Sequence, residues 1–279
     1  MIAAGIDIGS DYTQAAIVDD DGLLGIGEAR TGFDLNKAGE RAIADALSQD
    51  GVSRGDIDVL VATGEGRKSV DVDKRVTSYT VIGLVLNQEW PSARSVLMMG
   101  AKNAAALKLS ETGMILDFDE NDRCAAGVGR FLSDLTRFLD MSLDEVIQAT
   151  REVDEGVEEL NTQCAVFAES EVISLIHENV SPARISRGVH DAIAERNSAL
   201  LRRIGIEEDV LVVGGVGRNV AFIEALEDII ETPVHVPDHP AHVAAHGAAL
   251  SALFDDAEQL QQDIEVGSKQ TERFSDSIK

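Results

Sequence analysis

Apolar and polar positions alternate along the chain in two periods, one of strand length and one of helix length. IAAGIDIG (2–9) is a nearly unbroken apolar run ending in glycine, the pattern of a buried strand. TQAAIV (13–18) and LLGIGEA (23–29) continue the strand pattern on either side of the turn DDDG (19–22). Over 36–49 the period lengthens, and Ala42, Ile43, Ala46 and Leu47 fall on one helical face. DVLVA (58–62) is again a strand, stopping at the glycine turn TGEGR (63–67). Residues 77–89 read as a helix closed before Pro91.

The pattern then repeats. Laying Gly100 on Gly9 brings VLMMGA (96–101) onto GIDIGS (5–10) and Gly113 onto Gly22. SVLMMG, AAALKL and MILDFD reproduce the plan of strand, strand, glycine turn and strand. A duplicated β-β-β core predicts an α/β protein of two like domains around a cleft. The second half adds helices at 125–139, 142–150, 164–179 and 183–204. DVLVVGG (209–215) is a buried strand, followed by a helix over 218–230, the short strand PVHVP and a last helix over 243–253. The expected organisation is a first domain at 1–90, a second at 91–253 and a polar tail at 254–279.

Composition narrows the classes. With 50 acidic against 24 basic residues, the formal charge is −26, and the acid runs are spread along the chain. Such a surface argues against direct nucleic-acid binding, which needs a basic footprint. Self-repulsion of this size is best tolerated where salt shortens the Debye length to about 3 Å, which points to a halophilic, salt-rich cytoplasm. MIAAGIDIGS has no basic segment of a secretory signal, and no apolar run approaches the roughly 18 residues of a membrane span. Two cysteines do not make a disulfide framework. The cytoplasm is therefore the expected compartment.

Three glycine turns carry the candidate chemistry. GIDIGSD sets Asp7 at a strand end and offers the Gly9 and Ser10 amides to an anion, with Asp7 able to hold magnesium through water. TGEGR is the second turn, and VVGGVGRN (212–219) is the third, in a strand–glycine–helix context that suits a nucleotide. Neither G-x-G-x-x-G nor a P-loop occurs. The plainer reading of all three is that they are only turns. Cys124 and Cys164 each head a helical pattern, where the helix end favours a thiolate. Taken alone, both are better read as small buried apolar residues. His242 and His246 lie four apart without an accompanying H-E-x-x-H glutamate, so they read as plain helix.

In chain order GIDIGSD, VATGEGR, NDRCAAGVGRFL, CAVFAESEVISL, VVGGVGRN and HGAAL resemble the BadF/BadG/BcrA/BcrD ATPase family over about residues 3–253. These are the activators of 2-hydroxyacyl-CoA dehydratases and the ATPase subunits of benzoyl-CoA reductase. The resemblance implies a duplicated acetate and sugar kinase/Hsp70/actin-like (ribonuclease H-like) fold. It implies ATP and Mg2+ on Asp7, Gly9, Ser10, Asp11, Gly64, Gly66, Gly100, Ala101, Gly214, Gly215, Asn219 and Gly247. It implies a [4Fe–4S] cluster held by Cys124 and Cys164 of two protomers, in a homodimer or a heterodimer with a similar ATPase subunit. Four thiolates are the usual ligand set, and two per chain make four only in a pair. The implied partners are an acyl-CoA dehydratase or benzoyl-CoA reductase catalytic subunit and a ferredoxin-like electron donor. ATP hydrolysis would then drive low-potential electron transfer.

One segment departs from the family. Its second phosphate turn reads like D-I-G-G-Q-D, whereas MMGAKN (98–103) places Met98, Ala101 and Asn103 at the first Asp, the second Gly and the last Asp. Methionine can act on neither magnesium nor water, and Gln14 stands where a Lys is common. Two explanations stay open: the less typical member of a heterodimeric pair, or a divergent homodimer with Asp7 as remaining carboxylate. Outside the class stand a non-hydrolysing regulatory nucleotide-binding subunit and a small-molecule kinase of the same fold.

Overall fold

The computed structural model describes residues 1–48, 52–121, 129–156, 160 and 165–254. They form two five-stranded mixed sheets, each with its own core. The first sheet is built from β1 (Ala3–Ile8), β2 (Tyr12–Asp19), β3 (Gly22–Arg30), β4 (Val59–Thr63) and β5 (Lys74–Arg75), in the order β3-β2-β1-β4-β5. β1 runs antiparallel to β2 and parallel to β4. The second sheet comprises β6 (Ser95–Met99), β7 (Ala104–Leu109), β8 (Ile115–Glu120), β9 (Val210–Val213) and β10 (Val234–His235), in the order β10-β9-β6-β7-β8. Read from the other end, that order is the first sheet's. β6 pairs antiparallel with β7 and parallel with β9, as β1 does with β2 and β4.

The register shows the duplication residue by residue. Asp7 pairs with Gln14 and Thr63, and Met98 with Ala105 and Val213. Gly22 and Gly113, both at positive φ, stand at the corresponding hairpin turns.

Two compact units result: residues 1–92, 109–116 and 242 onward, and residues 93–108 with 117–241. The second domain expected at 91–253 thus loses its last helix to the first unit. α8 (Val243–Leu250) packs on β1, because Gly5 has no Cβ to hold away the backbone of Ala245 and Ala249. The other sheet face is covered by α1 (Leu35–Leu47), whose Ala42 and Ala46 carbonyls lie against Gly27 and Gly25 of β3. Glycine on the strands and alanine on the helices lets backbone approach backbone. Asp34 caps α1 through the Lys37 amide at 3.1 Å. α2 (Ser78–Glu89) packs against α8 in the same unit.

In the second unit, α3 (Gly129–Leu139) buries Phe131, Leu132 and Leu135 at helical spacing. α4 (Leu143–Arg151) opens on a capping box between Ser142 and Glu145, a local signal the helical reading of 142–150 did not use. α5 (Ala165–His177) leads into α6 (Pro182–Ile204), which starts at the Ser181 cap with Pro182 in its first turn and ends at Gly205. α7 (Val220–Ile230) packs beside α6 around Phe222, which is fully buried.

Candidate functional site

Asp7 is the next-to-last residue of β1, partly buried, and its carboxyl faces the turn that follows β4. Gly64 sits there at φ +85°, and a Cβ on it would strike Asp7 Oδ1 and the Ile8 backbone. Only glycine leaves Asp7 its place. Burial pushes the Asp7 carboxyl up to about 6, with Glu65 of the same turn adding repulsion. A carboxylate raised in this way holds its charge at a cost that a cation would relieve. The cradle at Gly64 and the uncompensated carboxylate both fit magnesium, and Asp7 is the side chain that would hold it.

The first turn is braced by Thr31, the residue that follows β3. Gly9 N–H donates to the Asp7 carbonyl at 3.2 Å, and Thr31 Oγ donates to the Gly9 carbonyl at 2.9 Å. The Thr31 amide reaches the Asp11 carbonyl at 3.1 Å, and Thr13 Oγ1 lies 3.0 Å from Thr31 Oγ1. Ser10 lies between, partly exposed. In the second turn, Ser78 of α2 accepts from the Gly64 amide at 3.2 Å and lies 3.1 Å from Thr63 Oγ1. Gly66 packs against Ile8 and Leu35, with a Cβ reaching 3.2 Å from Leu35 Cδ1. Arg67 folds back on the Gly64 carbonyl at 2.8 Å. Thr13, Thr31 and Ser78 are far apart in sequence and carry no motif, so only the sheet and the turn bring them to the site.

The second unit has the equivalent turns. Gly214 follows β9 at φ +94°, with the Met99 backbone where a Cβ would lie, as Gly64 follows β4. Gly100 N–H donates to the Asn103 carbonyl at 2.8 Å. In the carboxylate's place stands Met98, at the register position of Asp7 and partly buried. Gln14 spends its amide on Glu28 across the sheet, at 3.0 Å.

The turn at Gly100 and Ala101 is tied directly to α3. Gly129 N–H donates to the Gly100 carbonyl at 3.0 Å, and Arg130 N–H to the Ala101 carbonyl at 2.8 Å. A Cβ on Gly129 would come within 2.8 Å of Val216, beside Gly215 of the third turn. Residues 122–128 and 161–164, with Cys124 and Cys164, lie outside the described residues. Among the described residues no three metal-ligating side chains converge.

Two of the residues expected at the nucleotide are also held by contacts within the protein. Gly247 is buried in α8 against the Val81 carbonyl of α2, where a side chain would wedge the helices apart. Asn219 is buried, and its carbonyl oxygen caps α7 by accepting from Phe222 N–H at 3.1 Å. His246, at 3.1 Å, faces Glu89.

The fold and turns match known proteins. The family model described as the BadF/BadG/BcrA/BcrD ATPase family matches residues 4–252. The chain is 34% identical to the 2-hydroxyisocaproyl-CoA dehydratase activator of Clostridioides difficile, over 95% of this chain and 99% of that one. The solved activator of the 2-hydroxyisocaproyl-CoA dehydratase from Clostridium difficile, with bound ADPNP, superposes with a TM-score of 0.85 at 34% identity, covering 94% of this chain and 98% of that one. A ROK family glucokinase from Streptomyces griseus shares the fold alone, with a TM-score of 0.55 at 11% identity over 89% and 98% of the two chains. A duplicated sheet with paired positive-φ glycines, and a family match across nearly its whole length, make this chain a member of the BadF/BadG/BcrA/BcrD ATPase family.

Proposed function

We propose that the chain binds ATP with Mg2+ on its glycine turns and couples ATP hydrolysis to low-potential electron donation to a partner acyl-CoA dehydratase or benzoyl-CoA reductase. Family membership supports the reading, as does the ADPNP bound by the C. difficile activator. The observation that carries the coupling is the pair of backbone hydrogen bonds from Gly129 and Arg130 to Gly100 and Ala101. A phosphate turn that shifts on hydrolysis pulls on the first residues of α3, five positions after Cys124. Asp7 would hold the magnesium, and the Ser10 amide would donate to a phosphate oxygen, the Gly9 amide being turned to the Asp7 carbonyl.

Cys124 and Cys164 are the thiolates for a [4Fe–4S] cluster completed by a second protomer, identical or similar, since two cysteines per chain supply half of four. Such a cluster supplies one-electron transfer at low potential, reloaded by a ferredoxin-like donor. The role is that of a cytoplasmic protein. Among the described residues no helix is long and apolar enough to cross a membrane.

Met98 favours a second reading, that this chain is the weakly hydrolysing subunit of a heterodimeric pair, because the position equivalent to Asp7 carries no carboxylate. Anaerobic purification tests the main reading. Brown protein with about four irons per pair, lost in Cys124→Ser or Cys164→Ser, supports it, and colourless, folded, iron-free protein overturns it.

A further inference from the structure

Beside the third glycine turn lies a buried histidine that the proposed function does not use. His190 sits midway along α6 with 0% exposure, between Thr150 of α4 and Asn219 at the start of α7. Its Nδ1 lies 2.8 Å from the Ser186 carbonyl oxygen and 3.2 Å from Thr150 Oγ1, and its Nε2 lies 3.0 Å from Asn219 Nδ2. A carbonyl only accepts, so Nδ1 carries the proton. Thr150 gives its own proton to the Val146 carbonyl at 2.8 Å and is left as a second acceptor. Nε2 is therefore the acceptor for the Asn219 amide. The Asn219 orientation follows independently, since its oxygen is taken by Phe222 N–H at 3.1 Å.

Both ends of one amide are thus spent, one on capping α7 and one on His190. The Asn219 backbone N–H closes the turn on the Val216 carbonyl at 2.9 Å, and Gly217 N–H reaches the Gly214 carbonyl at 3.0 Å. We propose that neutral His190 is a positioning residue for the turn Gly214–Arg218: by accepting from Asn219 it fixes the turn in the conformation that receives a nucleotide. The proposal rests on the nucleotide reading above.

Burial holds the His190 imidazole below its ordinary range, and the Ser186 carbonyl, accepting from Nδ1–H, offsets only part of that. Ion pairs on these helices engage the charged side chains nearest the imidazole. Arg187 reaches Asp191 at 2.8 Å and Asp228 at 3.6 Å, and Arg151 reaches Glu224 at 2.9 Å. Of these, Arg187 acts against a charged imidazole.

Asn219→Asp is the discriminating variant. Aspartate still caps a helix, but it cannot donate, so His190 must take a second proton to restore the bond. ADP affinity is measured by calorimetry from pH 8.5 to 6.5 and expressed as the ratio of variant to wild type at each pH, which cancels the titration of Asp7 and of the ADP phosphate common to both proteins. Asn219→Asp binds ~10-fold more weakly at pH 8.5 and recovers as the pH falls, the loss expected for one buried hydrogen bond. A deficit of the same size at every pH, or none, overturns the positioning role. His190→Gln, whose carbonyl can still accept, holds affinity within ~3-fold while His190→Leu loses ~10-fold. Equal behaviour of these two overturns the role even where the aspartate variant does not fold. Long-range 1H–15N spectra read the tautomer without nucleotide: an Nε2–H signal for His190 refutes the assignment. Wild-type protein that binds no ADP overturns the nucleotide reading itself, a failure distinct from a pH-independent variant.

Discussion

Asp7→Asn should stabilise the nucleotide-free protein while weakening its hold on magnesium nucleotide. The wild-type carboxyl titrates at about 6 in the folded chain because burial opposes its charge, against an ordinary value of 3.8. Its native pKa is raised, so folding favours the protonated form. The resulting penalty is absent below about 3.8, grows as the pH rises through 6, and is full above it. At ~1.4 kcal/mol per pH unit, the gap sets an upper limit of ~3 kcal/mol, and the residual exposure of Asp7 brings the expected gain to ~1–3 kcal/mol. For a chain of this size that is a rise in Tm of roughly 2–10 °C. Thermal unfolding of both proteins without nucleotide, at constant salt, measures it at pH 8 and pH 5. The gain should fall by about half between the two. An Asn variant no more stable than wild type at pH 8, or one with the same gain at both pH values, would refute the argument. Isothermal titration with ATP and magnesium should show the opposite sign, with affinity lost.

Gly214→Ala forces a side chain into φ +94° and onto the Met99 backbone, and should cost at least ~2 kcal/mol in urea unfolding. Gly215→Ala, next to it in open space, should stay within ~1 kcal/mol of wild type, and similar losses for both would contradict the steric account. Met98→Asp should raise the ATP turnover of the isolated chain by ~10-fold or more, since a missing positioned group commonly costs about 10² to 10⁴. No gain in a steady-state phosphate-release assay would rule out a simple lost carboxylate. With a formal charge of −26, the Tm should climb as NaCl goes from 0.1 M to 1 M and the Debye length shrinks from about 10 to 3 Å, and a flat curve would count against self-repulsion as a stability cost.

The elements were largely legible because their periodicity is strong. The strands at 2–9, 13–18 and 23–29 are β1 to β3, and the helix expected at 183–204 is α6. Repeat spacing exposed the duplication, and the register of Asp7 and Met98 matches it. Short 3-10 turns at Glu65–Ser69 and Gly215–Arg218 left no periodic trace, being too brief to show one. Asn219 and Gly247 stand in family segments, which imply nucleotide contacts but say nothing of their packing. Their burial and partners give one a cap and the other a helix contact.

By itself, the sequence determined the α/β duplication, the three glycine turns, the family and the departure at Met98, because all of these are written in local pattern and spacing. Tertiary structure alone decided that α8 returns to the first unit, that Thr31 and Ser78 brace the first two turns, and that His190 reaches Asn219 from 29 positions away. Each of those is a contact between residues distant in the chain, and its energy comes from burial and hydrogen-bond geometry that exist only once the helices and sheets have packed.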